Sequence, residues 1–263
     1  MDYDVKRNNF DTFWLETDAS GKGYTKFKHL PLKEKHGARE SIKPALATAI
    51  LDHHFHCETI KGALERLGFA KAARYFSTRL PKQENTRKGN FGEVIASEHL
   101  RQRHRYKFPV FKLRFMETPN MPMRGEDIVA FKIDEDNKIT AICIGEVKTL
   151  ERYNQNQVEK AHKRLVMAYH PYPVTLSLIC TILHERGDHD LAEQIDVILE
   201  TLGLRPFPRH NWLFIITGDR PRDPFGPIEE IDSVVENLRT VSLHLPRLSL
   251  FVNEIYENPD IRS

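Results

Sequence analysis

The sequence predicts an α/β fold, a mixed β-sheet flanked by helices, and three observations carry that prediction. First, residues 124–150, RGEDIVAFKIDEDNKITAICIGEVKTL, read as two strands joined by a polar turn at 134–138. Second, a helical pattern precedes this hairpin (Phe91 to Arg103) and another follows it (Tyr153 to Tyr169), the latter with Val158, Ala161, Leu165 and Ala168 on one side. Third, apolar runs of strand length follow at Val174–Leu183 and Trp212–Thr217. The order helix, strand, strand, strand, helix, strand, counting a strand at Tyr106–Phe115 ahead of the hairpin, describes a mixed sheet with helical cover.

Taken in order, residues 1–40 show no clean periodicity, and Phe10, Phe13 and Trp14 supply apolar anchors. Ser41 opens a helix to about Phe55, with Pro44 in its first turn, where a missing N–H is tolerated. Two further helices cover Thr59 to Leu67, stopped near Gly68, and Ala70 to Phe76. Pro81 and the polar run 82–90 read as a linker, dividing a mainly helical, partner-binding N-terminal extension (1–85) from a catalytic domain with a C-terminal extension (86–263). Asn90 is the expected N-cap of the next helix, and Glu93 the third residue of a capping box. Beyond the hairpin and the helix after it, a helix is expected at Leu191–Leu202 and at Ile228–Leu238. An extended segment is expected at Val241–Val252, broken at Pro246.

The chain of 263 residues is 40% hydrophobic and 29% charged, enough for a sizeable core and against global disorder. No apolar run approaches the roughly 20 residues that span a bilayer, and the acidic, polar start does not read as a signal peptide. Three widely spaced cysteines, Cys57, Cys143 and Cys180, read as reduced thiols of a cytoplasmic protein. The net charge of +2 conceals an asymmetry. Residues 79–124 hold 11 Lys or Arg against 4 acids, and residues 185–263 hold 8 Arg against 15 acids. A basic block suits a polyanion, although a solvated surface is the commoner explanation of such a block.

The chemistry concentrates in the hairpin. Alternation along a strand puts Glu146 and Lys148 on one face and Val147 on the other, and the neighbouring strand can bring Asp127 to the same place. Taking a carboxylate and an ammonium out of water is costly unless they pair or bind something. Asp127 and Glu146, with the Val147 carbonyl, offer the oxygen ligands that Mg²⁺ or Mn²⁺ takes. Glu93, on the preceding helix, can reach such a cation or serve only as a helix cap. Lys148 is placed to orient a water or to stabilise charge on a scissile phosphate. Arg124, Asn156, Gln157 and Lys160 are weaker candidates for contacts to DNA, each equally readable as solvated surface. His53, His54, His56 and Cys57 lack the second ligand pair that a zinc site needs, and read as an ordinary helix face.

Glu93 on a helix, Gly125-Glu126-Asp127 at a strand and Gly145-Glu146-Val147-Lys148 on the next resemble the PD-(D/E)XK nuclease superfamily. The proline that usually precedes the first acid is replaced by Glu126, and Asp127 is taken as the ligand over Glu126 because Gly125-Glu126-Asp127 matches the family's usual G-x-D pattern. The combination KGNFGE (88–93), MRGED (123–127) and GEVKT (145–149) is similar to the HamA nuclease-subunit family of the Hachiman anti-phage defence system. The resemblance implies a restriction-endonuclease-like core, metal-dependent DNA cleavage, and a hetero-complex with a helicase subunit (HamB) that restrains or licenses the nuclease. Two alternatives stand beside it: a stand-alone restriction or repair endonuclease, and a non-catalytic nucleic-acid-binding scaffold subunit that retains only the fold.

Overall fold

The computed structural model describes residues 9–121, 125–168, 174–201 and 207–257. Its centre is a six-stranded mixed sheet in the order β1-β2-β6-β5-β4-β3. The strands are β1 (Leu15–Thr17), β2 (Lys28–Glu34), β3 (Ile128–Ile133), β4 (Ile139–Leu150), β5 (Arg209–Thr217) and β6 (Leu238–His244). β2, β6, β5 and β4 are parallel neighbours, and antiparallel β1 and β3 close the two edges.

β4 is the longest strand, paired on both sides and buried from Ala141 to Val147, which is why its sequence is apolar on both faces. The turn into it is built as expected of Asp-rich loops. Asp134 accepts the N–H groups of Asp136 and Lys138 through its carboxylate, and Asn137 adopts the left-handed conformation with φ 60°.

Helices α1 (Phe10–Trp14), α2 (Arg39–His54), α3 (Cys57–Arg79), α4 (Glu84–His104) and α9 (Leu248–Glu257) cover one face of the sheet or pack beside it. The core there joins Trp14, Phe91, Val94 and Phe251 to Val147, Phe214 and Val241. On the other face lie α5 (Gln155–Met167), α6 (Val174–Arg186), α7 (His189–Thr201) and the short α8 (Gly226–Glu229). Their apolar residues, among them Val158, Leu165, Leu176, Ile195 and Phe225, pack on Ile142, Ile144, Leu213 and Ile215. The result is a three-layer α/β architecture in which the first 85 residues contribute both helices and the strands β1 and β2.

Several expectations are corrected. The polar run 82–90 is no linker: α4 begins at Glu84 and runs unbroken to His104. Asn90 therefore caps nothing. It is buried in mid-helix and donates from Nδ2 to His54 Nε2 at 3.1 Å. Residues 106–115 do not form a strand. Lys107 makes one isolated bridge to Phe131, Pro109 lacks the N–H a ladder requires, and Lys112–Phe115 closes into a 3₁₀ turn.

Val174–Leu183 is the helix α6, whose buried Leu176, Ile179, Cys180 and Leu183 have helical spacing. The expected helix at 228–238 is confined to Gly226–Glu229. The expected extended run 241–252 is split: β6 ends at His244, Arg247 turns with φ 56°, and α9 follows. The break expected near Gly68 is present, with φ 69° inside α3. Among the described residues no helix is long and apolar enough to cross a membrane.

Gly92 sets the distance between α4 and β4. A Cβ there would overlap Thr149 Oγ1 and press on Val147 Cγ1 at 3.0 Å, whereas a Cβ at Gly89, one turn earlier, meets nothing. Gly92→Ala is expected to lose about 1–3 kcal/mol of unfolding free energy through overpacking. Gly89→Ala is expected to gain up to about 1 kcal/mol from helix propensity. Urea unfolding of both variants checks the pair, and equal effects would refute the close approach.

Candidate active site

The site lies where the start of β3, the carboxyl half of β4 and the middle of α4 meet. Glu126 and Asp127 are adjacent, and the chain sends them to opposite tasks. The Glu126 carboxylate accepts the N–H groups of Thr175 at 3.0 Å and Val174 at 3.3 Å, holding the N-terminus of α6. Its own N–H donates to Thr175 Oγ1 at 3.2 Å. Gly125, at φ 96°, allows the chain to pass close to Thr175. Asp127 turns the other way and accepts the Val147 N–H at 2.8 Å. Of the two acids, Asp127 faces the cluster on β4.

The register of β4 with β5 aligns Glu146 with Leu213 and Lys148 with Ile215, so Glu146 and Lys148 share a face. Lys148 Nζ lies 3.3 Å from Glu146 Oε2, 3.9 Å from Asp127 Oδ2 and 3.2 Å from the Val147 carbonyl oxygen. Glu93 arrives from α4. It stands in mid-helix rather than in a capping box, and Lys112 Nζ approaches its carboxylate at 3.7 Å. Lys112 also donates to the Glu126 carbonyl at 2.7 Å. Arg164, from α5, reaches Glu146 Oε2 at 3.4 Å.

Three carboxyls, Glu93, Asp127 and Glu146, face three cations, Lys112, Lys148 and Arg164, yet two of the carboxyls stay raised. Burial pushes the Glu93 carboxyl up to about 8, with the charges of Asp127 and Glu146 adding to the rise and Lys112 opposing it. Burial and Asp127 push Glu146 up to about 7, against Lys148 and Arg164. Both acids therefore resist ionisation near neutral pH unless further positive charge arrives. Asp127, Glu146 and Glu93, with the Val147 carbonyl, offer only oxygen donors, the type hard divalent cations take. The chemistry of the donors fits Mg²⁺ or Mn²⁺, whose charge would favour the ionised form of the two raised carboxyls.

The remaining sequence candidates are placed as follows. Asn156 and Lys160 are exposed and Gln157 half-buried on the first two turns of α5. The N-cap of that helix is Asn154, whose side chain accepts the Gln157 N–H at 3.3 Å. Arg124 lies outside the described residues. His53 pairs with Glu98 at 2.9 Å, and His54 lies 2.8 Å from the Ile50 carbonyl, so these two rings are occupied in packing.

The sequence reading missed Lys112 and Arg164. Lys112 was assigned to a strand that does not form. Arg164 follows Lys160 by four residues, and continuing that helix face by one turn would have found it.

A family model described as HamA matches residues 7–258. One relative, from Bacillus cereus and described as "Hachiman protein HamA", is 31% identical over 188 residues, which are 69% of this chain and 66% of that protein. Matched across nearly its whole length, the chain belongs to the HamA family.

Proposed function

We propose that this protein is a metal-dependent DNA endonuclease, the nuclease component of a Hachiman-type anti-phage defence complex, controlled by a helicase partner. The observation that carries the nuclease reading is the convergence of Glu93, Asp127, Glu146 and Lys148, with two carboxyls held from ionising by burial and mutual repulsion. The defence reading rests on HamA membership and on the name of the Bacillus cereus relative. Helicase control rests on the resemblance alone.

In this reading Asp127, Glu146 and the Val147 carbonyl hold the cation, with Glu93 beside them. When bound, a divalent cation lowers the pKa of a coordinated water and takes up charge on the scissile phosphate. The Lys148 ammonium, held between Glu146 and Asp127, is placed to stabilise charge on the phosphoryl oxygens as the nucleophile arrives. Asp127 is aimed by the Val147 N–H, which leaves its second oxygen for the site. Lys112, anchored on the Glu126 carbonyl, holds Glu93 beside the start of the hairpin. Arg164, more than half exposed, is free to exchange Glu146 for a DNA phosphate.

The test is cleavage of duplex and single-stranded DNA with Mg²⁺ or Mn²⁺, with and without the co-purified helicase. Asp127→Asn, Glu146→Gln and Lys148→Ala are each expected to slow cleavage by about 100-fold or more. Glu126→Gln, which keeps an acceptor for α6, is expected to cut at nearly the wild-type rate. Equal cutting by wild type and the three site variants means the site is wrongly assigned. No cutting under any metal or partner condition favours a scaffold.

A pH dependence follows from the raised carboxyls. With folded values of about 7 for Glu146 and about 8 for Glu93, both above the unfolded value of 4.5, the native state holds more protons than the unfolded state between those limits. Stability of the metal-free protein from these groups is therefore full below about pH 4.5 and falls as pH rises towards 8. Mg²⁺ is expected to raise the Tm more at pH 8 than at pH 6, because cation binding must displace these protons. Thermal melts of wild type and Glu146→Gln check this, and the variant should show a flatter profile.

A further inference from the structure

A second group of ligating side chains lies away from the carboxylate cluster, on the hairpin of α6 and α7. Cys180 and His184 are one turn apart on α6, which places them on one face. Asp196 faces them from α7. The Cys180 thiol donates to Asp196 Oδ1 at 3.0 Å, and His184 Nε2 lies 2.7 Å from Asp196 Oδ2. One donor atom from each of the three residues falls within 4.8 Å of the others. Tetrahedral zinc, with sulfur at about 2.3 Å and nitrogen or oxygen at about 2.0 Å, sets its ligands roughly 3.3–3.6 Å apart.

We propose that Cys180, His184 and Asp196 form a binding site for a borderline-soft divalent cation of the Zn²⁺ type, its fourth position open to water. The donor set is the argument. A thiolate and an imidazole select zinc over the hard cations that suit the all-oxygen cluster at Glu146. Cys180 is nearly fully buried, while His184 and Asp196 stand at the surface and leave an approach from solvent. Without metal the thiol keeps its proton, because burial and the Asp196 carboxylate push it up to about 12. Binding exchanges that proton for the cation: the S–H bond breaks, a sulfur–metal bond forms, and the proton leaves to solvent. The cation then ties α6 to α7. Because Glu126 holds the N-terminus of α6, the tie steadies the helix that starts beside Asp127.

The experiment uses the full chain, stripped by a chelator and titrated with Co²⁺ in excess Mg²⁺, which fills the hard oxygen site. A thiolate-to-cobalt charge-transfer absorption saturating at one equivalent, and erased by added Zn²⁺, is the expected result. Cys180→Ser should abolish it. His184→Ala and Asp196→Asn, both at surface positions, should weaken Co²⁺ binding by at least about tenfold. Cys57→Ser and Glu146→Gln should leave it unchanged. Absence of the band, its survival in Cys180→Ser, or its loss in Cys57→Ser overturns the proposal. Should Cys180→Ser fail to fold, the two surface variants decide. Because cleavage is not the readout, the outcome is independent of whether the protein is a nuclease.

Discussion

Like charges held partly out of water repel strongly, and the crowding of Glu93, Asp127 and Glu146 is the constraint that the surrounding structure serves. Three elements must be held rigidly to keep these groups together. β4 provides the base, because it is hydrogen-bonded on both sides and buried on both faces. The Val147 N–H fixes Asp127 across the strand pair. Gly92 lets α4 approach β4 closely enough to deliver the next residue, Glu93. Lys148, Lys112 and Arg164 offset much of the repulsion, and burial, with the repulsion that remains, keeps two of the carboxyls raised. A protein maintained for stability alone has no reason to bury so many ionisable groups together, since their desolvation is costly even where they are paired.

Glu126 and Asp127 show how one dipeptide serves two structures. Successive side chains leave an extended backbone on opposite sides. Glu126 therefore closes the N-terminus of α6, where its charge also meets the positive end of the helix dipole. Asp127 meets β4. Any shift of α6 is transmitted to the position of Asp127 through one peptide unit. The α6–α7 pair is consequently part of the site's support, although none of its side chains belongs to the carboxylate cluster.

The hairpin was legible because its evidence is local. Strand alternation, an Asp-rich turn and a doubly buried second strand all lie within residues 128–150, and the shared face of Glu146 and Lys148 followed from period two. The choice between Glu126 and Asp127 was not local. It depends on Thr175 and on the Val147 N–H, groups that sequence spacing does not position. The start of α4 was hidden for a similar reason. Arg87 looks like a solvated linker residue until Asn253 and Glu257 of α9 fold over it, and Asn90 until His54 meets it. α6 was read as a strand because a short apolar run fits a buried strand and a buried helix equally well.

The charge asymmetry is the case where composition and structure part most clearly. Much of the basic block at 79–124 is engaged within the molecule: Arg87 with Glu257, Lys88 with Glu84, Arg101 with Glu98, Arg103 with Asp11 and Lys112 with Glu93. The positive approach to the site runs instead along α5, where Lys160, Lys163 and Arg164 are exposed and Arg164 ends at Glu146. On the proposed nuclease reading this geometry links two ligands. A DNA phosphate that draws Arg164 away removes a cation from Glu146 and deepens the negative charge of the cluster. The site would then gain affinity for a divalent cation, and by reciprocity a bound cation would favour Arg164 leaving Glu146 for the phosphate.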